Sequence, residues 1–409
     1  MTKHYDSFET RSPEQREGEL FAVLPAQIAH AKGNAPYFAA LLADVNPRDI
    51  ASRKSLASLP ITRKSDLVEL QKQQHPFGGL NAIAPGRLAR LFVSPGPIYD
   101  AEGTASDFWR SARAMYAAGF RAGDIVHNTF SYHLTPAGSM FETGAHALGC
   151  AVIPAGTGQT EMQVATIAAL KPNAYAGTPS FLKMLFEKAD EMGAVISSIR
   201  KAIVSGEAFL APAREFIKTR GVDVYQAYGS ADLGIIAYES IAREGLILDE
   251  KIIVEIVRPG SGEPVADGEV GEVVVTTFNR DYPLIRFATG DLSAVLAGTS
   301  PCGRTNIRIN GWMGRADQTT KVRGMFVHPH QIAEIVKRHP AIHKARLTVS
   351  HVDSADVMLL SCEVSTALDM EAVKNSIRDV TKLRGEVALV ASGALANDGK
   401  VIEDCRVYT

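Results

Sequence analysis

The residues of this chain whose types could do chemistry fall in short, glycine-rich segments. Ten residues from the end, Asp398-Gly-Lys400 sets a lysine in a turn. An ammonium on a flexible stem can neutralise an anionic oxygen, although a lysine in a turn is most often simply solvated. Asp291 closes Pro283-Leu-Ile-Arg-Phe-Ala-Thr-Gly-Asp291. An ionised carboxylate there can accept strong hydrogen bonds from hydroxyls, or stabilise the turn after Gly290. Gly314-Arg-Ala-Asp317 and Lys321-Val-Arg-Gly324 join basic side chains to glycines that permit changes of backbone angle, and are also common surface turns. Ser205-Gly-Glu-Ala208 and Tyr228-Gly-Ser-Ala-Asp232 each follow an apolar run. An aromatic at such a point is more often core than ligand contact, and an aspartate can hold Mg²⁺. Tyr132, within Phe130-Ser-Tyr-His133, and the turn Gly177-Thr-Pro179 occupy similar places. His133 suits a structural role as well as a catalytic one.

These segments need elements to hold them. Residues 14–32 read as a helix, and a second helix follows Thr62, whose hydroxyl could cap it. Phe108, Ala112, Met115 and Tyr116 share one face of a helix ending near Gly119. Strands are expected at 124–130, 150–154, 173–176, 200–204 and 223–227. Helices are expected between them, at 160–170, 179–190 and 211–219 and in the stretch ending near 148. Strands about 25 residues apart with covering helices mark a parallel sheet, whose ligands sit at the carboxyl ends of the strands. Beyond Gly234 the texture is β-rich, with strands expected at 252–257, 269–277 and 291–296. A small α+β module follows: a short strand near Thr320, helices at 329–338 and 369–383, and strands at 344–350, 356–364 and 386–391.

The chain has 409 residues, 46% of them apolar and 22% charged, which is an ordinary globular composition. Its 43 basic and 45 acidic side chains give a net charge of −2, against a dedicated nucleic-acid binder. No apolar run approaches the roughly 18–20 residues of a membrane span. The opening MTKHYDSFET lacks the charged-then-apolar pattern of a signal peptide. The four cysteines, Cys150, Cys302, Cys362 and Cys405, form no CxxC pair, as in a reducing compartment. The expectation is a cytoplasmic enzyme with neither nucleic-acid nor membrane partners.

In order and spacing, the glycine-rich segments resemble the phenylacetate–CoA ligase group of the adenylate-forming superfamily. The resemblance extends to Asn34-Ala-Pro-Tyr-Phe38, Leu59-Pro-Ile-Thr62, Pro76-Phe77-Gly78 and Cys302-Gly-Arg-Thr305, and so spans nearly the whole chain. It implies an α/β fold: a large N-terminal domain, residues 1–316, with βαβ layers and a β-rich subdomain, and a small mobile α+β domain, residues 317–409. It implies an ATP-dependent acid–CoA ligase working through an acyl-adenylate on a small, aromatic carboxylic acid. ATP/AMP, Mg²⁺ and coenzyme A would take part, and the resemblance suggests a homodimer. Such catalysis is mainly positioning and neutralisation of charge on phosphate oxygens. Lys400 matches the lysine bridging the acid and the α-phosphate. Asp291 matches the carboxylate on the ribose, Arg315 a residue that reaches the nucleotide, and Asp317 the hinge. Ser205, Gly206, Glu207, Ala208, Tyr228 and Gly229 match the nucleotide pocket. Tyr132, Gly177 and Tyr228 would border the acid, Lys321, Arg323 and Gly324 the path of CoA, and Asp232 would hold Mg²⁺.

The departures from the pattern concern the phosphates. The family's phosphate loop is a run of Ser, Thr and Gly ending in Gly-Lys, whose N–H groups cradle the β- and γ-phosphates. Here the stretch reads Val93-Ser-Pro-Gly-Pro-Ile-Tyr-Asp100, keeping only Ser94 and Gly96. Pro95 and Pro97 each remove a donor, and Asp100 and Glu102 bring negative charge. Ala231 stands where the family has a hydroxyl, and Asp232 where it has a longer Glu. Some relatives carry a structural zinc; with Cys302 alone of that ligand set, none is expected. Two alternatives therefore stay open. One is an adenylating enzyme with a non-CoA acceptor. The other is a non-adenylating relative that binds AMP-like or acyl-CoA ligands.

Overall fold

The computed structural model describes residues 3–94, 98–316, 318–322, 325–352, 355–366 and 368–406. The chain divides into two units: Met1–Val254, Val275–Phe287 and Leu296–Trp312 form the first; Glu255–Val274, Ala288–Val295 and Met313–Thr409 form the second.

The first unit is built on a nine-stranded sheet. Its parallel part runs, in spatial order, Ala151–Pro154, Ile125–Asn128, Ala174–Gly177, Lys201–Val204 and Asp223–Ser230. Gly234–Glu239, Leu246–Leu248 and Arg308–Ile309 extend it antiparallel. Apolar runs such as Ala202-Ile-Val204 are fully buried, as a sheet covered on both faces requires. The helix Pro179–Met192 shows how sequence sets an element's limits. Thr178 caps it by accepting the Phe181 N–H, Pro179 opens it, and Gly193 ends it at φ 61°. It buries Leu182, Leu185, Phe186 and Ala189 against Val164, Ile167 and Ile199, about 1.5–3 kcal/mol for each large side chain.

The strand order places Ile125–Asn128 between the strand that follows it in sequence and Ala174–Gly177. The connections leave in opposite directions there, and the crevice at such a point is where open α/β sheets take ligands. The segments holding Tyr132 and Gly177 lie at those carboxyl ends.

In the second unit, a four-stranded sheet runs in the order Glu386–Val390, Ala355–Val364, Ile342–Val352 and Ile402–Asp404. The helices Pro329–Arg338 and Met370–Thr381 pack Ile332, Ile335, Val373 and Ile377 onto its Leu347, Val349 and Leu360.

Several sequence expectations are corrected. Thr62 does not cap a helix: it is a fully buried strand residue whose N–H donates to the Arg286 carbonyl at 3.1 Å, and the helix starts at Leu67. The helix expected around Phe108 begins only at Ser111. Asp107 and Arg110 have positive φ, and the Asp107 carboxylate takes the Ala112 N–H. The strand expected at 291–296 is two strands, Phe287–Ser293 and Val295–Leu296, in different sheets. Two features went unforeseen. One is the hairpin Arg90–Ser94 with Ile98–Glu102; the other is the last strand, Ile402–Asp404, which pairs parallel with Leu347–Val349. Among the described residues, no helix is long and apolar enough to cross a membrane.

Candidate functional site

Residues of the first unit gather at the carboxyl ends of its parallel strands. Asn128 ends its strand and donates to the Tyr132 hydroxyl at 2.7 Å and to the Gly138 carbonyl at 2.9 Å, fixing the Tyr132 turn against the next helix. Burial, then Glu142, pushes the Tyr132 phenol well above its ordinary value, so Tyr132 stays a neutral donor and acceptor. A Cβ at Gly177 would lie 2.0 Å from the Thr129 hydroxyl and 2.2 Å from that of Tyr175, so glycine is required there by packing alone. Gly206, at φ 85°, lies beside Thr178 and Phe130. Ser205 is half-buried, while Gly206, Glu207 and Ala208 are exposed. Glu207 accepts the Ser180 N–H at 2.7 Å, a carboxylate at the start of the helix Pro179–Met192. Tyr228 is buried within the strand Asp223–Ser230, opposite Ala237. Gly229 sits at the register shift beside it, where a Cβ would meet the Gly234 carbonyl oxygen at 2.5 Å.

The hairpin Arg90–Glu102 stands where the phosphate loop was expected, and its two acids differ. Glu102 is buried but fully engaged: Arg90 donates to it at 2.6 Å, Ser139 at 2.6 Å and the Trp109 indole at 3.0 Å. The negative charge that Glu102 brings to this stretch is balanced within the fold by Arg90. Asp100, two residues before it, is 1% exposed, and neither carboxylate oxygen has a hydrogen-bond partner among the described residues. Burial, then the neighbouring Asp232, pushes its carboxyl up to about 8, with Ser94 and Lys64 acting in the opposite sense. An unsatisfied buried polar group costs about 1–3 kcal/mol, and a charged one more. Asp232 has a 1% exposed side chain; its Oδ2 takes the Lys64 ammonium at 2.5 Å, while its Oδ1 has no hydrogen-bond partner among the described residues. Tyr282, fully buried, has its phenol raised by burial and then by Asp100 and Asp232. Lys64 escaped the sequence reading, although it follows Leu59-Pro-Ile-Thr62 by two residues. That segment is itself anchored by Arg286, which donates to the carbonyls of Ala57 at 2.7 Å and Leu59 at 2.5 Å.

In the second unit, Asp291 lies on the strand Phe287–Ser293 and accepts from the Arg315 guanidinium at 2.8 Å. The two residues also form a backbone bridge. A Cβ on Gly290, at φ 76°, would meet Arg315 Nη2 at 2.8 Å, so this turn needs glycine. Lys400 is exposed on the loop just before the last strand. Its ammonium donates to Glu403 at 2.7 Å, a bond that raises its pKa, and its N–H donates to Asp398 at 3.0 Å. Asp398 is in turn gripped by Arg346, and Gln318 donates to the Gly399 carbonyl at 2.9 Å. Lys400 also borders a cavity of about 380 Å³ with Arg258, His330, Lys337 and Lys344, offset by Glu263, Glu269 and Glu334. Lys321 belongs to the short strand Thr320–Val322. Pro95, Gly96, Pro97, Asp317, Arg323 and Gly324 lie outside the described residues.

A family model described as AMP-binding enzyme matches residues 104–279. The phenylacetate-coenzyme A ligase of Aromatoleum evansii is 31% identical over 332 residues, covering 77% of this chain and 74% of its own. That of Pseudomonas putida is 29% identical over 432 aligned residues, covering 98% and 96%. Among solved structures, a 2-hydroxyisobutyryl-CoA ligase in the postadenylation state superposes with a TM-score of 0.73 at 23% identity, covering 98% of this chain and 92% of that one. At that identity the likeness speaks to the fold.

Proposed function

The chain belongs to the phenylacetate–coenzyme A ligase family of adenylate-forming enzymes, and from that membership we propose that it is an AMP-forming acid–CoA ligase. Its acid would be small and aromatic, as the family's name suggests. The carboxylate attacks the α-phosphorus of ATP, giving an acyl-adenylate and pyrophosphate; the thiol of CoA then displaces AMP. In this reading Asp291 accepts the ribose hydroxyls and Arg315 turns from Asp291 to the nucleotide. An exposed ion pair costs no more than about 1 kcal/mol to open. Ser205 to Ala208, Tyr228 and Gly229 border the nucleotide, and Tyr132, Gly177 and Tyr228 the acid. Lys400 neutralises charge between acid and phosphate, released from Glu403, its half-buried partner on the last strand. The segment from residue 317 would move about Asp317 to open a path for CoA along Lys321, Arg323 and Gly324. Mg²⁺, held through Asp232, would supply charge stabilisation on the phosphates. The unpartnered Asp232 Oδ1 suits that ion.

The observation that best supports the reading is the Asp291–Arg315 pair at 2.8 Å, two family-pattern residues joined across a sequence gap of 24. The test is incubation with ATP, Mg²⁺, CoA and a panel of aromatic and aliphatic acids. Acid-dependent release of AMP together with a CoA thioester is expected; AMP without thioester points to another acceptor.

A second reading, a binder of AMP-like or acyl-CoA ligands that makes no adenylate, is favoured by the buried, unpartnered Asp100 on the hairpin that replaces the phosphate loop. Absence of AMP release with every acid, alongside measurable AMP binding, would select it.

A further inference from the structure

Three carboxylate oxygens in the first unit, Asp100 Oδ1, Asp100 Oδ2 and Asp232 Oδ1, are buried and have no hydrogen-bond partner among the described residues. Both side chains are almost completely enclosed, Asp100 with 1% of its surface exposed and Asp232 with 1% of its side chain. Folding does not ordinarily leave such oxygens unpaired, and each one calls for an explanation. The nearby cation does not supply it, because Lys64 is committed to the fourth oxygen, Asp232 Oδ2, at 2.5 Å. When both carboxylates are ionised, with one ammonium beside them, the enclosed place carries one net negative charge for a cation to balance.

We infer that Asp100 and Asp232 together form a divalent-cation site that loads without nucleotide. Hard oxygen donors and no nitrogen or sulfur ligand suit Mg²⁺ or Mn²⁺, and Mg²⁺ is commonly held by one or two carboxylates with water completing its shell. The site deepens the Mg²⁺ assignment made for Asp232 and stands apart from ATP use. It also gives the acidic hairpin a purpose. With a divalent ion bound between two carboxylates and the Lys64 ammonium the local charge is one positive, so a segment that has Pro95 and Pro97 in place of loop donors gains attraction for an anionic oxygen. Glu102 takes no part, since Arg90, Ser139 and Trp109 already satisfy it.

The test is a titration of Mn²⁺ into the EDTA-stripped, nucleotide-free chain. Free Mn²⁺ is followed by electron paramagnetic resonance, and each protein is melted with and without Mg²⁺. Wild type should bind about one Mn²⁺ and gain thermal stability with Mg²⁺. Asp100→Asn and Asp232→Asn should each weaken Mn²⁺ binding at least tenfold, while Asp44→Asn, at an exposed acid elsewhere, should match wild type. Asp100→Asn should also melt no lower than wild type in EDTA, since it removes an unpaired buried charge. That result separates loss of the site from loss of the fold. No Mn²⁺ binding by wild type, or full binding retained by a folded Asp100→Asn, would overturn the inference. AMP release is assayed separately, so a chain that binds Mn²⁺ through Asp100 yet makes no AMP fails the ligase reading alone.

Discussion

Two aspartates of this chain sit in opposite circumstances. Asp291 is paired at 2.8 Å with an Arg315 whose side chain is 56% exposed, so its charge is cheap to hold and its partner free to exchange. Asp100 is enclosed beside a second carboxylate, with neither oxygen bonded. The first arrangement belongs to the part of the family pattern that we propose reads a nucleoside. The second stands where triphosphate-binding residues were replaced. The difference teaches that the departures from the family pattern gather on the phosphate side, at the hairpin and at Ala231 and Asp232, while Asp291, Arg315 and Lys400 keep it. A general decay of the site would have altered both.

The strongest test of the retained part is Lys400→Ala. Acid-dependent AMP release should fall by about 10²–10³-fold, the usual effect of removing one donor to a developing charge. The melting temperature should hardly move, because the Lys400 side chain is exposed and its ion pair with Glu403 is worth no more than about 1 kcal/mol. A large drop in melting temperature would turn Lys400 into a structural residue. Next comes Asp291→Ala, which should weaken AMP binding by about ten- to a hundredfold in calorimetry, the range for hydrogen bonds to a charged group. Unchanged AMP affinity would dissolve the contrast between the two aspartates.

Asp107 offers an intermediate case: half-buried, and bonded by the Ala112 N–H at 3.1 Å and the Ser111 hydroxyl at 3.3 Å. Burial still raises its carboxyl to about 6, with Asp249 adding to the rise. Because its folded pKa lies above the unfolded value, its contribution is complete below about pH 4 and is lost as pH rises through 6. Melting curves should therefore show Asp107→Asn, against wild type, losing less stability between pH 4 and pH 7, by on the order of 1–2 kcal/mol. Parallel pH profiles would contradict this. The mildest change is Arg315→Gln, which should alter stability by less than about 1 kcal/mol by urea titration while weakening nucleotide binding.

Much of this organisation was legible in the sequence. The strand–helix alternation was readable because runs such as Ala202-Ile-Val204 are apolar throughout, and because Thr178-Pro179 and Gly193 punctuate a helix. The hairpin was not, since Arg90, Asp100 and Glu102 make its strands look polar, and the burial of Asp100 and Glu102 arises only in the fold. Ile402–Asp404 escaped because only Ile402 of its three residues is buried. Asp291, Arg315 and Lys400 could be named because their signals are linear. Lys64 could not, since its meaning comes from Asp232, 168 residues away. Asp100 showed as a charge in the sequence, but its isolation from donors exists only in three dimensions.

The most direct measurement is calorimetric titration of ATP and AMP, separately, into the purified chain with and without Mg²⁺. The account predicts AMP binding that depends on Asp291, and ATP binding that requires Mg²⁺ and is lost in Asp232→Ala. ATP binding indifferent to Mg²⁺ and to Asp232, or no AMP binding at all, would contradict it.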